Sequence, residues 1–493
     1  MRAMWGWALF CLGGWGCGGA PGLETSSLES EPAELSALAC SPSGAERVKI
    51  VVPAGTPESP FFVVTPEGIR DVQGKAYFSV NFRDGSATLW RSQGTDASTV
   101  VVKSFSATTP ARNVFSLAPL GSRLLFQVHT PETGLEPWIT DGTDAGTHLV
   151  KDVTPGTESS SFSQVSVFGG AATFFNSREV MTPPRTQVEL WRSDGTSGGT
   201  TLLVNFGVLA TLLPQYVRTT SSHLFFLSSP DEGTALWRTN GTTGGTAFVK
   251  RLDAGEVRVV DVNVTEDGAT GLFTLQDGPN TEVWKSNGTA AGTVRLETFG
   301  RAMRMSGSLG TSVYLTSADP VTQRMGLYRV ALAGGGKTTI TYLANPFASQ
   351  PDALPYLQQF TRSGGKLYFA VAIGTSGPTA RVVRLWVTDG TAANTRQLPS
   401  ELSVSGDFNS DVYPLAGGGV IFAGADAPGN FTNPWVTRGT AATTAELTTE
   451  PPVLTSSPWA FSRVGNLIYF AARDEETFRY QLWAVPANVT CTP

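Results

Sequence analysis

The chain of 493 residues has only three histidines and four cysteines, and no more than 15% of it is charged. Each scarcity excludes something. His129, His148 and His223 stand apart from one another and from every cysteine, so no zinc-ligand spacing exists. A net charge of −6 leaves no basic surface to neutralise phosphates, which argues against nucleic acid as a partner. Helical periodicity is nearly absent, so no GxSxG stretch leads into a helix as a nucleophile elbow, and there is no Walker A loop. The glycine run Gly334-Gly335-Gly336-Lys337 lacks the Ser and the helix pattern of a phosphate loop. The apolar stretch at the N-terminus is too short to span a bilayer as a helix.

What the chain has is glycine, 54 residues of it, and one returning phrase. EPWITDGTDAGT from Glu136, ELWRSDGTSGGT from Glu189, ALWRTNGTTGGT from Ala235 and EVWKSNGTAAGT from Glu282 are its clearest copies. Eight of the twelve Trp hold the repeat position, namely Trp90, Trp138, Trp191, Trp237, Trp284, Trp386, Trp435 and Trp483. Tyr328 fills the one gap, so the aromatics recur every 44 to 58 residues. An apolar triplet such as Ala76-Tyr77-Phe78 or Ile468-Tyr469-Phe470 precedes each aromatic, and a run such as TLLVNF from Thr201 follows each turn. Short, β-branched and alternating runs of this kind are strands. Four per period predict an all-β chain folded as a single closed β-propeller of about nine four-stranded blades, or eight if the Tyr328 unit is degenerate.

The large rings then belong to the core, filling the wedges between stacked, twisted sheets. Asp-Gly and Asn-Gly suit a turn with positive φ. Asp141, Asp194 and Asp389 could alternatively hold calcium, but Asn240 and Asn287 replace the charge in two good copies. No cofactor is expected. Among acidic groups, Asp231-Glu232 and Asp474-Glu475-Glu476 are candidates for glycoside chemistry at a central pore, with solvated hairpin tips as their plain reading.

The last unit stops just after Trp483 and lacks its final strand. KIVVPAGTPESPF from Lys49 parallels KDVTPGTESSSF from Lys151, so the N-terminal strand is expected to close the last blade. Residues 1–17 read as a signal peptide, with Cys17 placed for lipoprotein-type acylation, or with cleavage after Ala20 as the alternative. Residues 18–44 form a Ser/Glu/Pro-rich tether and residues 45–493 the propeller. Cys40 and Cys491 lie at the two ends of the folded part, where one bridge would staple the termini; two free thiols are the alternative.

With these copies in view, the chain resembles the ELWxxDGT repeat proteins over roughly residues 46 to 490. The resemblance implies a β-propeller placed outside the cytoplasm, either secreted or as an outer-membrane or cell-surface lipoprotein. It implies no reaction. The expectation is a monomeric, non-enzymatic recognition or adhesion module that binds a protein or glycan through its loops and meets membrane only through an N-terminal lipid anchor. A structural envelope component, or a glycoside hydrolase or lyase with acidic residues at the pore, is the alternative.

Overall fold

The computed structural model describes residues 44–59, 61–107, 114–159, 162–179, 186–209, 215–229, 233–253, 257–319, 321–349, 354–374, 380–402, 412–426, 432–447 and 454–489. Cys17, Cys40, Cys491 and Asp231-Glu232 lie outside them. Nine four-stranded antiparallel blades stand in a ring, and the helical content of the described residues is one short turn, Ala441–Thr443. Their inner strands are Pro66–Val72, Val114–Leu120, Phe162–Phe168, Gln215–Arg218, Arg258–Val264, Arg304–Leu309, Pro355–Ser363, Val412–Pro414 and Leu454–Val464. The inner strands of blades 1 to 8 pack side by side in order, while that of blade 9 packs on the second and third strands of blade 8 and returns to the inner strand of blade 1. The unit around Tyr328 is a full blade 6, so the count is nine, not eight.

Seven inner strands carry a β-bulge, as between Glu67 and Arg70 or Ser163 and Ser166. A bulge bends the strand and increases its twist, which suits the crowded axis of a ring. Blade 8 departs from the pattern. Its inner strand is only three residues long, and the outer strand of blade 7 pairs with its second strand through Glu401↔Ala425.

The core is a set of apolar clusters between blades. Each repeat aromatic lies in the cluster shared by its own blade and the one before: Trp90 with Val464 and Tyr469, Trp284 with Val217 and Leu224, Tyr328 with Leu272 and Val283. Trp138, Trp191, Trp237, Trp386, Trp435 and Trp483 repeat this placement. Within a blade the ring stacks on the phenylalanine across from it, at 6.1 Å for both Phe78–Trp90 and Phe273–Trp284. Burying one such ring contributes about 2 to 3 kcal/mol, and a gap between blades is filled by each.

Glu46–Lys49 pairs with Tyr480–Pro486 as the outer strand of blade 9, so the N-terminal strand closes the ring. The parallel between its continuation and residues 151–162 holds at the level of hydrogen bonds. Val51 and Val52 donate their amides to Gln481 Oε1 at 2.8 and 3.1 Å, as Val153 and Thr154 donate to the Glu136 carboxylate at 2.8 and 3.1 Å. Lys49 reaches the Asp96 carbonyl of blade 1, and Lys151 the Thr200 carbonyl of blade 3.

Antiparallel order puts the first-to-second and third-to-fourth connections on one face. The first kind is two residues long in six blades, and the second is the DGT turn. The opposite face receives the longer links between blades, such as residues 150–161 and 344–354.

Candidate functional site

The DGT turns are built alike. In blade 2, Asp141 Oδ1 accepts from the Thr143 amide at 2.9 Å and from its hydroxyl at 2.7 Å. Thr143 Oγ1 in turn accepts from the Gly146 amide, and Thr147 Oγ1 donates to the Thr143 carbonyl at 2.6 Å. A hydroxyl pair such as Thr140···Thr147, at 2.7 Å, ties both ends of the turn in seven blades. The Thr143 and Thr196 hydroxyls hold the Asp141 and Asp194 carboxyls below their usual range. Burial pushes the Asp389 carboxyl up, but Thr391 and Asn394 together bring it down. Asn240 and Asn287 make the same two contacts through Oδ1. The turn therefore uses an oxygen rather than a charge. Asp141, Asp194 and Asp389 sit on blades 2, 3 and 7, and no three His, Cys, Asp or Glu gather as a metal cluster among the described residues.

Two further groups look chemical and are held by the packing. Asp474 is not a solvated tip: it is wholly buried, accepting from Arg47 Nη1 at 2.6 Å and from the Thr477 amide and hydroxyl. A carboxylate engaged by three donors at the ring seam cannot serve a central pore. Ser166 Oγ lies 3.0 Å from His223 Nε2, a contact that the isolation of His223 in sequence gave no sign of. Both residues are buried between blades 3 and 4, and the second ring nitrogen meets the Thr173 hydroxyl at 3.4 Å rather than a carboxylate. Without an orienting acid or an approach for substrate, this pair is a packing contact.

A cleft of about 370 Å³ opens between blades 6 and 7 on the face opposite the DGT turns. Its cause is local. The residue two places before the repeat aromatic usually anchors its surroundings: Glu189 and Glu282 accept the indole N–H of Trp191 and Trp284, while Glu136 and Gln481 hold the backbone leaving the blade. One place earlier, Thr234 donates to the Val257 carbonyl and Thr281 accepts from the Met303 amide. Blade 6 has Met325 and Gly326 at these places, and a Cβ on Gly326 would stand 2.5 Å from the Tyr328 hydroxyl. With both anchors replaced, Met325, Leu354, Pro355 and Leu357 form an apolar floor.

The walls are polar. Arg301 and Arg304 line one side, Thr316 and Ser317 the back, and Tyr356 the blade 7 side. Arg304 Nε donates to Asp261 Oδ1 at 2.9 Å, so its charge is compensated. Arg301 is exposed and makes no hydrogen bond or ion pair among the described residues. Burial pushes the Tyr356 phenol up, which keeps its proton in place at neutral pH. Nothing in the sequence pointed to this cleft, since it arises from what one repeat lacks.

No family model matches the chain, and no curated protein matches it either. Solved structures do. They include a prolyl endopeptidase (12% identity, 74% of this chain and 55% of that one, TM-score 0.41) and prolyl oligopeptidase B from Galerina marginata (10%, 73% and 55%, 0.40). A puromycin-hydrolyzing peptidase of Mycobacterium tuberculosis also aligns (12%, 86% and 61%, 0.40). The chain spans between 55% and 61% of the length of these proteins. At such identities the likeness concerns the fold alone. The expectation of a non-enzymatic adhesion module is nevertheless corrected here: the chains that align with this ring are peptidases, so the architecture does not mark a non-enzyme, and that reading is withdrawn.

Proposed function

We propose that the ring takes a small ligand, or the end of a longer chain, into the cleft between blades 6 and 7. The observation that carries this reading is that the cleft opens where one repeat out of nine has exchanged its polar anchors for Met325 and Gly326. A volume of about 370 Å³ with an apolar floor and a few polar groups at its edge suits a small ligand. The cleft also lies on the face that carries the longer connections, where binding residues usually sit on a rigid scaffold. Placement outside the cytoplasm and membership in the ELWxxDGT group belong to the same proposal. They are supported by the apolar leader ending at Cys17 and by the copies around Trp138, Trp191 and Trp386.

The test pairs the wild-type ring with Ala302→Trp, which adds bulk at an exposed rim position. Both are titrated with pools of short peptides and oligosaccharides, and the bound and free species are weighed. Saturable binding that falls at least about tenfold in Ala302→Trp, at an unchanged melting temperature, is the expected result. Wild-type affinity in that variant would sink the proposal. Because the structures that share the fold are peptidases, the same mass spectra are read for shortened products.

A further inference from the structure

We infer that the cleft between blades 6 and 7 recognises a carboxylate monoanion carried on a short apolar body. The inference rests on the reading of this cleft as the ligand site. Its charge argument starts from the two arginines. Asp261 neutralises Arg304 and is itself fully occupied, since Oδ2 accepts from the Met305 amide at 2.9 Å. That leaves Arg301, whose guanidinium makes no hydrogen bond or ion pair among the described residues, so that its donors are unused. Asp319 lies within electrostatic reach of Arg301, but it stands outside the cleft and accepts from the Val321 and Thr322 amides. One guanidinium with unused donors, partly screened by Asp319, beside one compensated cation suits at most a single negative charge. A doubly charged phosphate would leave a charge unmatched next to an apolar floor.

Geometry and surroundings favour a carboxylate over a smaller anion. A guanidinium presents parallel N–H donors that suit two carboxylate oxygens. The buried Met325, Pro355 and Leu357 continue the lining with no polar atom on their side chains except the weakly accepting Met325 thioether, so the group bearing the charge must be apolar. Two sources share this chemistry: the C-terminal residue of a peptide and a short acyl chain.

The experiment uses the full ring and three probes, N-acetyl-leucine, its primary amide, and octanoate, followed by calorimetry. N-acetyl-leucine or octanoate is expected to bind saturably, and more weakly as salt rises. The amide is expected to bind about tenfold less tightly than the acid. Arg301→Gln should remove that difference, whereas Arg192→Gln on blade 3 should keep it. A preference for N-acetyl-leucine assigns a peptide end and a preference for octanoate an acyl chain. Equal affinity for acid and amide, with both lost in Ala302→Trp, overturns the carboxylate and leaves the cleft standing. Binding of none of the three overturns the inference, and the peptide and oligosaccharide pools then decide the cleft reading separately.

Discussion

His223 shows how burial sets the behaviour of one side chain. Its ring lies edge-on to Phe168 and Tyr216 at 5.8 and 6.3 Å, and among the described residues its nitrogens meet the hydroxyls of Ser166 and Thr173. Burial, with a smaller push from Arg218, lowers its pKa to about 4. Because the folded value lies below the unfolded one of about 6.5, the unfolded chain takes up the proton first. Stability owed to the neutral ring is thus complete above about pH 6.5 and is lost as pH falls towards 4, by an amount on the order of 3 kcal/mol. Melting curves between pH 7 and 4.5 should therefore fall more steeply for the wild type than for His223→Gln. Equal slopes would show that the ring is not kept neutral by its surroundings. The sequence gave His223 as a lone residue, because its partners Ser166 and Thr173 come from the neighbouring blade.

At the scale of the element, the DGT turn explains its own spelling. Gly199 does not need glycine for its backbone angle; it needs room, since a Cβ there would sit 2.1 Å from both carboxylate oxygens of Asp194. Gly146 meets Asp141 in the same way, and Gly245 and Gly292 meet Asn240 and Asn287. By contrast Gly142 combines φ +93 with a Cβ position 2.2 Å from the Tyr77 hydroxyl of the preceding blade. Gly199→Ala is expected to cost about 1 to 3 kcal/mol in chemical denaturation through overpacking. Adding Asp194→Ala removes the clash, so the double variant should lose less than the sum of the singles; strict additivity would refute the steric account. The turn chemistry was legible in the sequence because Asp and Asn alternate at one position. The role of Glu189 and Glu282 as acceptors for the repeat Trp was not, since a residue two places away on a strand says nothing about where its carboxylate bends.

For the whole molecule, the decisive contact is the seam. Arg47 bridges Asp474 and Glu476 at 2.6 and 2.7 Å, and Arg473 and Arg479 both approach Glu58. Asp474→Ala leaves Arg47 with Glu476 alone and the Thr477 donors without their acceptor, a loss of about 1 to 3 kcal/mol. Hydrogen exchange should then quicken in Tyr480–Pro486 while blades 3 to 5 keep their protection. Uniform quickening around the ring would mean that the seam is not a separate unit of opening. The closure was legible because Lys49 and Lys151 begin parallel stretches, and the blade count followed from the spacing of the aromatics. The cleft was not, because Met325 and Gly326 read as ordinary strand residues until Leu354 to Leu357 of the next blade are placed beside them. Arg47 and Asp474 are 427 residues apart, so Glu46–Lys49 leaves the ribosome well before the blade that it completes. Until blade 9 emerges, Glu46–Lys49 has no edge to join and Trp90 lacks half of its pocket. The ring thus stays open while blades 1 to 8 are made, for a time set by the stretch of chain between its two seam strands.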